Sequence, residues 1–360
     1  MKILVIRFRQ MGDAILATSL LNTLRQSFPE AEIHFVLNQK ISPLFEGHPS
    51  IDRIITFTEE ERHAPFTYLK KVWHTVHDEH YDVIIDMRST INTALFAFLS
   101  PSSRFRIGIK KNIVRLAYNN YIKKDPIKSN SENNAHIADA LSVIAPIKHT
   151  SEFTLVITDE EKMRYKDYLK QMGVDLTKPL LLANVTAKLA HKVWNEDNMV
   201  TVMDSFIKNH PDIQVIFNYA PGQEEENARR IYEKLGSPKQ VLIDVKAKSS
   251  RELVALSSFI TLFFGNEGGA RHIAHAAGAP SIVICAPENN KHQWIAQNGV
   301  PAEGISPSDI ATKEQLSTMT RQQQYDMITS EMVSKRLETF YNRIKKKRES
   351  SSPNHQATKD

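Results

Sequence analysis

The stretch TLFFGNEGGARHIAHAAGAPSIVICAP, residues 261–287, decides how the chain folds. Its first four residues are a short apolar run that ends at Gly265, as a buried strand does. Gly268 and Gly269 then stand side by side in a chain with only 12 glycines. Adjacent glycines let the backbone approach a ligand closely and admit positive φ. Residues 270–277 read as a helix, with Gly278 as its stop. Residues 281–285 are a second apolar strand. Strand, turn, helix and strand make a βαβ unit, whose two strands lie parallel. A glycine-lined helix start offers free N–H groups and the positive end of a dipole, which suits a diphosphate. Glu267 beside it is placed to accept hydrogen bonds from sugar hydroxyls. Taken alone, the stretch fits equally a tight turn whose glycines serve packing only.

The same alternation extends outward. Strands are expected at 179–185, 213–218 and 241–245, with helices at 198–209, 223–235 and 250–258 between them. A separate series begins at residue 1, with strands at 1–6, 33–37, 51–55, 82–86 and 104–109. After the first of these, residues 9–12 form a loop and Asp13 opens a helix. Its apolar residues Ile15, Leu16, Leu20, Leu21, Leu24 and Phe28 recur at helical spacing, and Pro29 ends it. The polar stretch 158–178 contains the link between two α/β domains. In doubly wound parallel sheets, ligands collect at the carboxyl ends of strands, which singles out residues 7–13 and 86–90. A last helix is expected over 330–344, with Met332, Val333, Leu337, Phe340, Tyr341 and Ile344 as its apolar stripe. A basic and polar tail, predicted to be disordered, follows at 346–360.

At 360 residues, 41% hydrophobic and 24% charged, the chain is a soluble globular protein with room for two cores. Its net charge of +5 suits acidic partners such as nucleotides, phosphorylated glycans or an anionic membrane surface, and equally a plain solvated surface. The only cysteine, Cys285, lies in an apolar run and reads as a small buried hydrophobe, so a reducing compartment is expected. The opening MKILVIRFRQ is apolar only to Ile6, which argues against a signal peptide. Neither G-x-G-x-x-G nor G-x-x-x-x-G-K-[ST] occurs, which counts against dinucleotide dehydrogenases and P-loop NTPases. His74, His77 and His80 recur in HTVHDEH without completing a zinc pattern and read as an exposed helix face. Scattered cations without interleaved aromatics argue against nucleic acid as a partner.

Several segments, in order along nearly the whole chain, resemble one family. ILVIRFRQMGDAILATSLLNTLRQSFPEAEIHFVLNQ is similar to the opening strand, M-G-D loop and first helix of the bacterial lipopolysaccharide heptosyltransferases, glycosyltransferase family 9. YDVIIDMR resembles the family's central N-domain strand, and AHIADALSVIAP its helix near the end of that domain. KVWNEDNM resembles K-x-W-P-x-x-x-W/F. GNEGGARHIAHAAGAPSIVICAP resembles N-D-T-G-x-x-H-x-A-A-A-x-G-x-P. The resemblance implies the GT-B fold, two Rossmann-like parallel-sheet domains facing a cleft. It implies an acceptor-binding domain over 1–160, a nucleotide-sugar-binding domain over 175–328 and a closing helix over 329–345. It implies inverting transfer of heptose from ADP-heptose to a lipopolysaccharide or lipooligosaccharide core, at the cytoplasmic face of the inner membrane of a Gram-negative bacterium. No cofactor and no metal are expected, and the chain has no D-x-D motif. Two other functions stay open: a transferase of the same fold using another nucleotide sugar, and a non-catalytic glycan- or nucleotide-sugar-binding protein.

The family's motifs assign roles residue by residue. Asp13 matches the M-G-D aspartate and becomes the general base, although an aspartate at that point is also a good helix N-cap. Lys192 matches the lysine that meets the donor phosphates, with Lys188 as the substitute if the register shifts. Asn195 stands where the family usually has proline. Glu224 falls where an acidic residue can hold the ribose hydroxyls, with Glu225 and Glu226 adjoining. Glu267 and Gly268 replace the commoner Asp-Thr, while Gly269 and Ala270 supply N–H groups and His272 is the motif's histidine. Arg7, Arg9, Gln10, Arg88, Lys110, Lys111 and Arg115 lie on the acceptor domain and suit an anionic acceptor.

Overall fold

Lys2–Ile6, KILVI, forms the first strand (β1), and its last four side chains are wholly buried. An apolar run with no alternation is what a strand covered on both faces requires. In the computed structural model, which describes residues 1–288, 290–296 and 298–350, the chain divides into two compact units after Thr158.

The first unit holds a six-stranded parallel sheet. After β1 come Glu32–Asn38 (β2), Arg53–Phe57 (β3), Val83–Asp86 (β4), Phe105–Ile109 (β5) and Asn120–Ile122 (β6), in the spatial order β3-β2-β1-β4-β5-β6. Ile3 faces Ile33 on one side and Val83 on the other. Strand order reverses between β1 and β4, so the crevice beyond their carboxyl ends is the expected ligand position. On one face of this sheet, Leu4, Ile6 and Ile84 pack with Tyr68, Val72 and Val76 of helix Pro65–His77 and with Phe96 of helix Ile91–Phe98.

The second unit holds a five-stranded parallel sheet of Leu180–Asn184 (β7), Gln214–Phe217 (β8), Leu262–Asn266 (β9), Ser281–Ile284 (β10) and Ala302–Ile305 (β11), ordered β11-β10-β9-β7-β8. Here the order reverses between β7 and β9. Val333, Leu337, Phe340, Tyr341 and Ile344 of the last helix join the core with Trp194, Phe206 and Phe217.

Several boundaries differ from the sequence reading. The stretch predicted as a link contains helix Asp159–Gln171, which packs Tyr165 and Leu169 inward and ties Glu161 to Arg251 of the second unit. The expected strand at 241–245 is a single bridge from Val215 to Val241, because a turn closes at Val245. The short strands β6 and β11, at or near sheet edges, carry little apolar run to mark them. Residues 136–141, expected within one helix, are a 3₁₀ turn that follows helix Asn130–Ala135. The last helix runs Ser330–Ser350, so residues 346–350 are helical rather than disordered. Arg348 explains this, since its guanidinium donates to Thr261 Oγ1 at 2.8 Å and to the Ile260 carbonyl at 3.0 Å. The rest of the predicted tail, 351–360, lies outside the described residues.

Candidate functional site

In the first unit, the chain leaves β1 at Arg7 and turns into helix Met11–Leu16. Gln10, not Asp13, is the N-cap, and it caps without a side-chain bond. Asp13 is therefore free of the capping role that its residue type suggested. It sits in the first turn, where the helix dipole favours a carboxylate. Arg7 Nη2 donates to Asp13 Oδ1 at 2.9 Å, and Arg9 Nη1 lies 3.6 Å from Oδ2. Arg7 is buried and also donates to the Met87 carbonyl at 2.8 Å, which bridges the ends of β1 and β4.

The turn after β4 is braced by a wholly buried carboxylate. Asp86 Oδ1 accepts the N–H groups of Arg88 and Ser89 at 2.9 Å each, and Oδ2 accepts the Tyr118 hydroxyl at 2.6 Å. Ser89 takes φ of 52°, the left-handed region that such a sharp turn needs. The brace aims Arg88 back across β1, where its Nη1 donates to the Phe8 carbonyl at 2.5 Å. Lys111 Nζ donates to the Arg88 carbonyl at 2.9 Å.

Charge accumulates here. Burial lowers the pKa of Arg7 in spite of Asp13, and Arg9 and Arg88 lower it further. Arg88 is likewise lowered by burial and then by Arg9 and Arg62. Lys124, just beyond β6, is lowered by burial, by Arg7 and by Arg9. Five cations, Arg7, Arg9, Arg88, Lys111 and Lys124, thus share one region with Asp13. A cavity of about 630 Å³ adjoins it, lined by Arg62, Tyr68, Arg88, Thr90, Lys111 and Ile113 among others. Neither Lys124 nor Arg62 was foreseen, and β6, which delivers Lys124, was itself missed. Gln10 is exposed beside this cluster. Lys110 lies over the Tyr121 ring at 6.0 Å, and Arg115 sits on the exposed side of 3₁₀ helix Asn112–Ala117.

In the second unit, β7 and β9 end in a reciprocal pair. Asn184 Nδ2 donates to the Asn266 carbonyl at 3.0 Å, and Asn266 Nδ2 donates to the Asn184 carbonyl at 3.1 Å. Gly265 makes this approach possible. Its φ is +131°, and a Cβ there would sit 2.3 Å from the Asn184 oxygen. The sequence reading gave the demand for positive φ and close approach to Gly268 and Gly269. Gly268 is instead extended, with room for a Cβ, whose nearest neighbour would be Asn184 Nδ2 at 3.9 Å, and Gly269 is the first helical residue. Helix Gly269–Ala276 closes on Gly278 with φ of 88°.

Glu267 and Lys192 meet at this turn, with Nζ 2.5 Å from Oε1. The other carboxylate oxygen accepts the Ala286 N–H at 3.1 Å. Lys192 reaches the turn because Trp194, two residues on, is anchored twice. Its backbone N–H donates to Asn266 Oδ1 at 2.8 Å and its indole to the Ile328 carbonyl at 3.1 Å. Asn195, in the proline position, caps helix Glu196–Asn209 by accepting the Asn198 N–H at 3.0 Å.

The residues left ambiguous in sequence are separated by their partners. Glu225 is taken by Lys246 at 2.8 Å and Arg229 at 3.1 Å. Glu224 has no such ion pair among the described residues. Burial raises its pKa, and Lys188 faces it closely enough to oppose the rise. Lys192, not Lys188, therefore meets the glycine turn. His272 is buried within the helix, its charged form disfavoured first by burial and then by Arg271. Arg271, which sequence reasoning passed over, donates to the Trp294 carbonyl at 2.9 Å and points Nη1 at His272 Nδ1 across 3.3 Å. Cys285 is buried, which pushes its thiol up to about 12. It is a packing residue, as expected.

Two cationic or N–H-rich pockets, one with a carboxylate held between arginines and one at a helix start, can serve a transfer between two anionic reactants. Comparison with known proteins gives the family and the fold. The model of glycosyltransferase family 9 (heptosyltransferase) matches residues 69–326. Lipopolysaccharide heptosyltransferase 1 of Campylobacter coli is 24% identical over 292 residues, 79% of this chain and 83% of that protein. The glycosyl transferase family 9 structure from Veillonella parvula superposes with a TM-score of 0.82 at 18% identity, covering 95% of this chain and 97% of that one. Escherichia coli heptosyltransferase WaaC with ADP-2-deoxy-2-fluoro heptose gives 0.67 at 16% identity, covering 94% and 99%. These likenesses show the two-domain GT-B fold.

Proposed function

The chain belongs to glycosyltransferase family 9, the heptosyltransferases, and from that premise we propose that it moves heptose from ADP-heptose to a lipopolysaccharide or lipooligosaccharide core, with inversion and without a metal. The names of its relatives support the reaction, and the WaaC structure with an ADP-heptose analogue supports the donor.

The observation that carries the reading is Lys192 held against Glu267 at the start of helix Gly269–Ala276. A diphosphate leaving group needs positive charge and N–H donors where its charge develops. Lys192, the N–H groups of Gly268, Gly269 and Ala270, and His272 supply these. Glu267 then accepts the sugar hydroxyls and Glu224 the ribose hydroxyls. In the first unit, Asp13 takes the proton of the acceptor hydroxyl as that oxygen bonds to the anomeric carbon. The bond from the anomeric carbon to the β-phosphate oxygen breaks, and its electron pair leaves with ADP. Arg7, Arg9, Gln10, Arg88, Lys110, Lys111 and Arg115 serve an acceptor carrying phosphate or carboxylate. This division gives the first unit the acceptor and the second the nucleotide sugar. The reaction so proposed belongs in the cytoplasm, at the inner face of the inner membrane, where such a core acceptor would be met.

Glu267 and Gly268 in place of Asp-Thr favour, as the second reading, a transferase of the same fold with a different sugar. Calorimetric titration with ADP-heptose, ADP and UDP-sugars in EDTA separates the two. Tight, metal-free binding of ADP-heptose and ADP is expected. Binding only of a UDP-sugar would transfer the assignment to the second reading, and binding of none would remove both.

A further inference from the structure

Helix Pro65–His77 buries Tyr68, Val72 and Val76, at i, i+4 and i+8, against the first sheet. Its outward face is expected to be polar. It instead presents Phe66, Leu69 and Trp73, exposed to 90%, 43% and 48%. The 3₁₀ helix Asn112–Ala117 repeats the pattern. With three residues per turn, Ile113 and Leu116 share one side. They are exposed to 83% and 90%, while Val114 and Ala117 are buried in the same core. Helix Ile91–Phe98 lies with these two elements in one layer and exposes Ile91 and Phe98 at its ends.

The charge on this layer has one sign. Residues 65–77, 91–98 and 110–117 contain Lys70, Lys71, Lys110, Lys111 and Arg115 and no acidic residue. The neighbouring acids lie on helix Glu59–His63, where Glu61 is already paired with Lys71 at 2.7 Å, and just past His77, where Asp78 lies 3.4 Å from His74 and Glu79 is paired with Lys2 at 2.7 Å. Monomeric proteins rarely leave so many large apolar side chains together on one face. Aromatic and aliphatic residues flanked by lysines and an arginine fit the interface of a bilayer with anionic headgroups, where rings sit at the headgroup level and cations on the phosphates.

We propose that the outward layer of these three helices docks the protein on an anionic lipid bilayer. Ile91 and Ile113 both belong to this layer and line the 630 Å³ cavity. Docking by this face therefore sets the cavity mouth at the headgroup level. A lipid-linked acceptor can then enter without leaving the membrane. That last step rests on the function proposed above, whereas the docking does not.

Co-sedimentation with plain vesicles, free of donor and acceptor, tests the docking. The wild-type chain is expected to sediment with phosphatidylethanolamine–phosphatidylglycerol vesicles and to bind phosphatidylcholine vesicles at least about tenfold less. The triple variant Phe66→Ser, Trp73→Ser, Leu116→Ser should lose about tenfold in vesicle binding. It should keep its turnover on a deacylated, water-soluble acceptor and lose it on acceptor embedded in vesicles. Lys70→Glu with Arg115→Glu, read for vesicle binding alone, gives a second variant with an unaltered apolar surface. Failure of the wild type to bind anionic vesicles, or equal binding by both variants, overturns the proposal. So does a dimer that the triple variant dissociates while vesicle binding is absent. Failure of nucleotide binding overturns the enzymatic reading and leaves this result standing.

Discussion

Lys192 and Glu267 form an ion pair, Nζ to Oε1 at 2.5 Å, beside the start of the helix that carries the family motif. Both side chains are largely shielded, so the pair is worth more than an exposed one. It also holds Lys192 where a diphosphate would need it. Lys192→Ala is expected to weaken ADP binding by about 10- to 100-fold, the worth of a charge-assisted hydrogen bond. Glu267→Gln keeps an amide oxygen to hold Lys192 in place, so ADP binding should stay within about threefold, whereas ADP-heptose, whose sugar hydroxyls lose a carboxylate acceptor, should weaken more. Calorimetry on both variants checks the contrast. Equal losses for the two ligands in Glu267→Gln would show that Glu267 serves only to place Lys192.

Asp13 is expected to matter to the chemical step and not to donor binding. Removing a general base costs roughly 10²- to 10⁴-fold in rate. Asp13→Asn keeps the shape and the hydrogen bond from Arg7, so kcat should fall by that amount while the calorimetric Kd for ADP-heptose stays unchanged. A variant with full turnover would remove Asp13 from the mechanism.

Gly265→Ala should be far more damaging than Gly268→Ala. The first places a Cβ 2.3 Å from the Asn184 oxygen at a φ of +131°, so β7 and β9 must part. A loss of about 3 kcal/mol or more in urea unfolding is expected. The second has its nearest atom at 3.9 Å and an extended backbone, so a change within about 0.5 kcal/mol is expected.

That contrast shows where the sequence was legible. The strand–turn–helix frame could be read because apolar runs and glycines mark it locally, as in β1 or around Gly278. Which glycine bears the strain could not, because Gly265 is constrained by Asn184, some 80 residues away in the chain. Asp13 was recognisable from M-G-D, yet whether it capped a helix depended on the backbone at Gln10. Lys124 was invisible because the strand just before it, β6, is three residues long. The exposed layer at Phe66 and Trp73 was hidden by a helix that is apolar on both faces. Arg348 lengthened the last helix through contacts with Ile260 and Thr261 that no local pattern encodes.

Acid should destabilise both units below neutrality. Burial lowers His48, in the first unit, to about 4, and lowers His275, in the second, to about 3. Each is neutral when folded and has an ordinary pKa near 6.5 when unfolded. The unfolded chain therefore binds more protons between pH 6.5 and these values, and stability falls as pH drops through that window. From pH 7.5 to 5, each histidine should cost about 2 kcal/mol of unfolding free energy. His48 Nδ1 accepts the Ser50 N–H at 3.2 Å, and Nε2 pairs with Thr154 Oγ1 at 3.1 Å. His48→Gln retains some of that bonding without a titrating ring. Urea unfolding should show a smaller pH dependence in the first unit and the same one in the second.

Arg271 is expected to fix the tautomer of His272. A guanidinium only donates, so the 3.3 Å contact makes His272 Nδ1 the acceptor and puts the ring proton of the neutral imidazole on Nε2. Arg271 remains charged at neutral pH although burial lowers it to about 10. Its Nε and Nη2 find no partner among the described residues, so it contributes little net stability. Arg271→Met should therefore fold with a Tm within a few degrees of wild type, since a buried charge is exchanged for a side chain of similar reach. The fixed tautomer should be lost, which ¹⁵N shifts of the His272 ring would report as a mixture of Nδ1–H and Nε2–H forms. If His272 donates Nε2–H to the diphosphate, ADP affinity should fall by about tenfold, the worth of one such bond. A variant that keeps a single Nε2–H tautomer would show that Arg271 acts only by packing against Trp294.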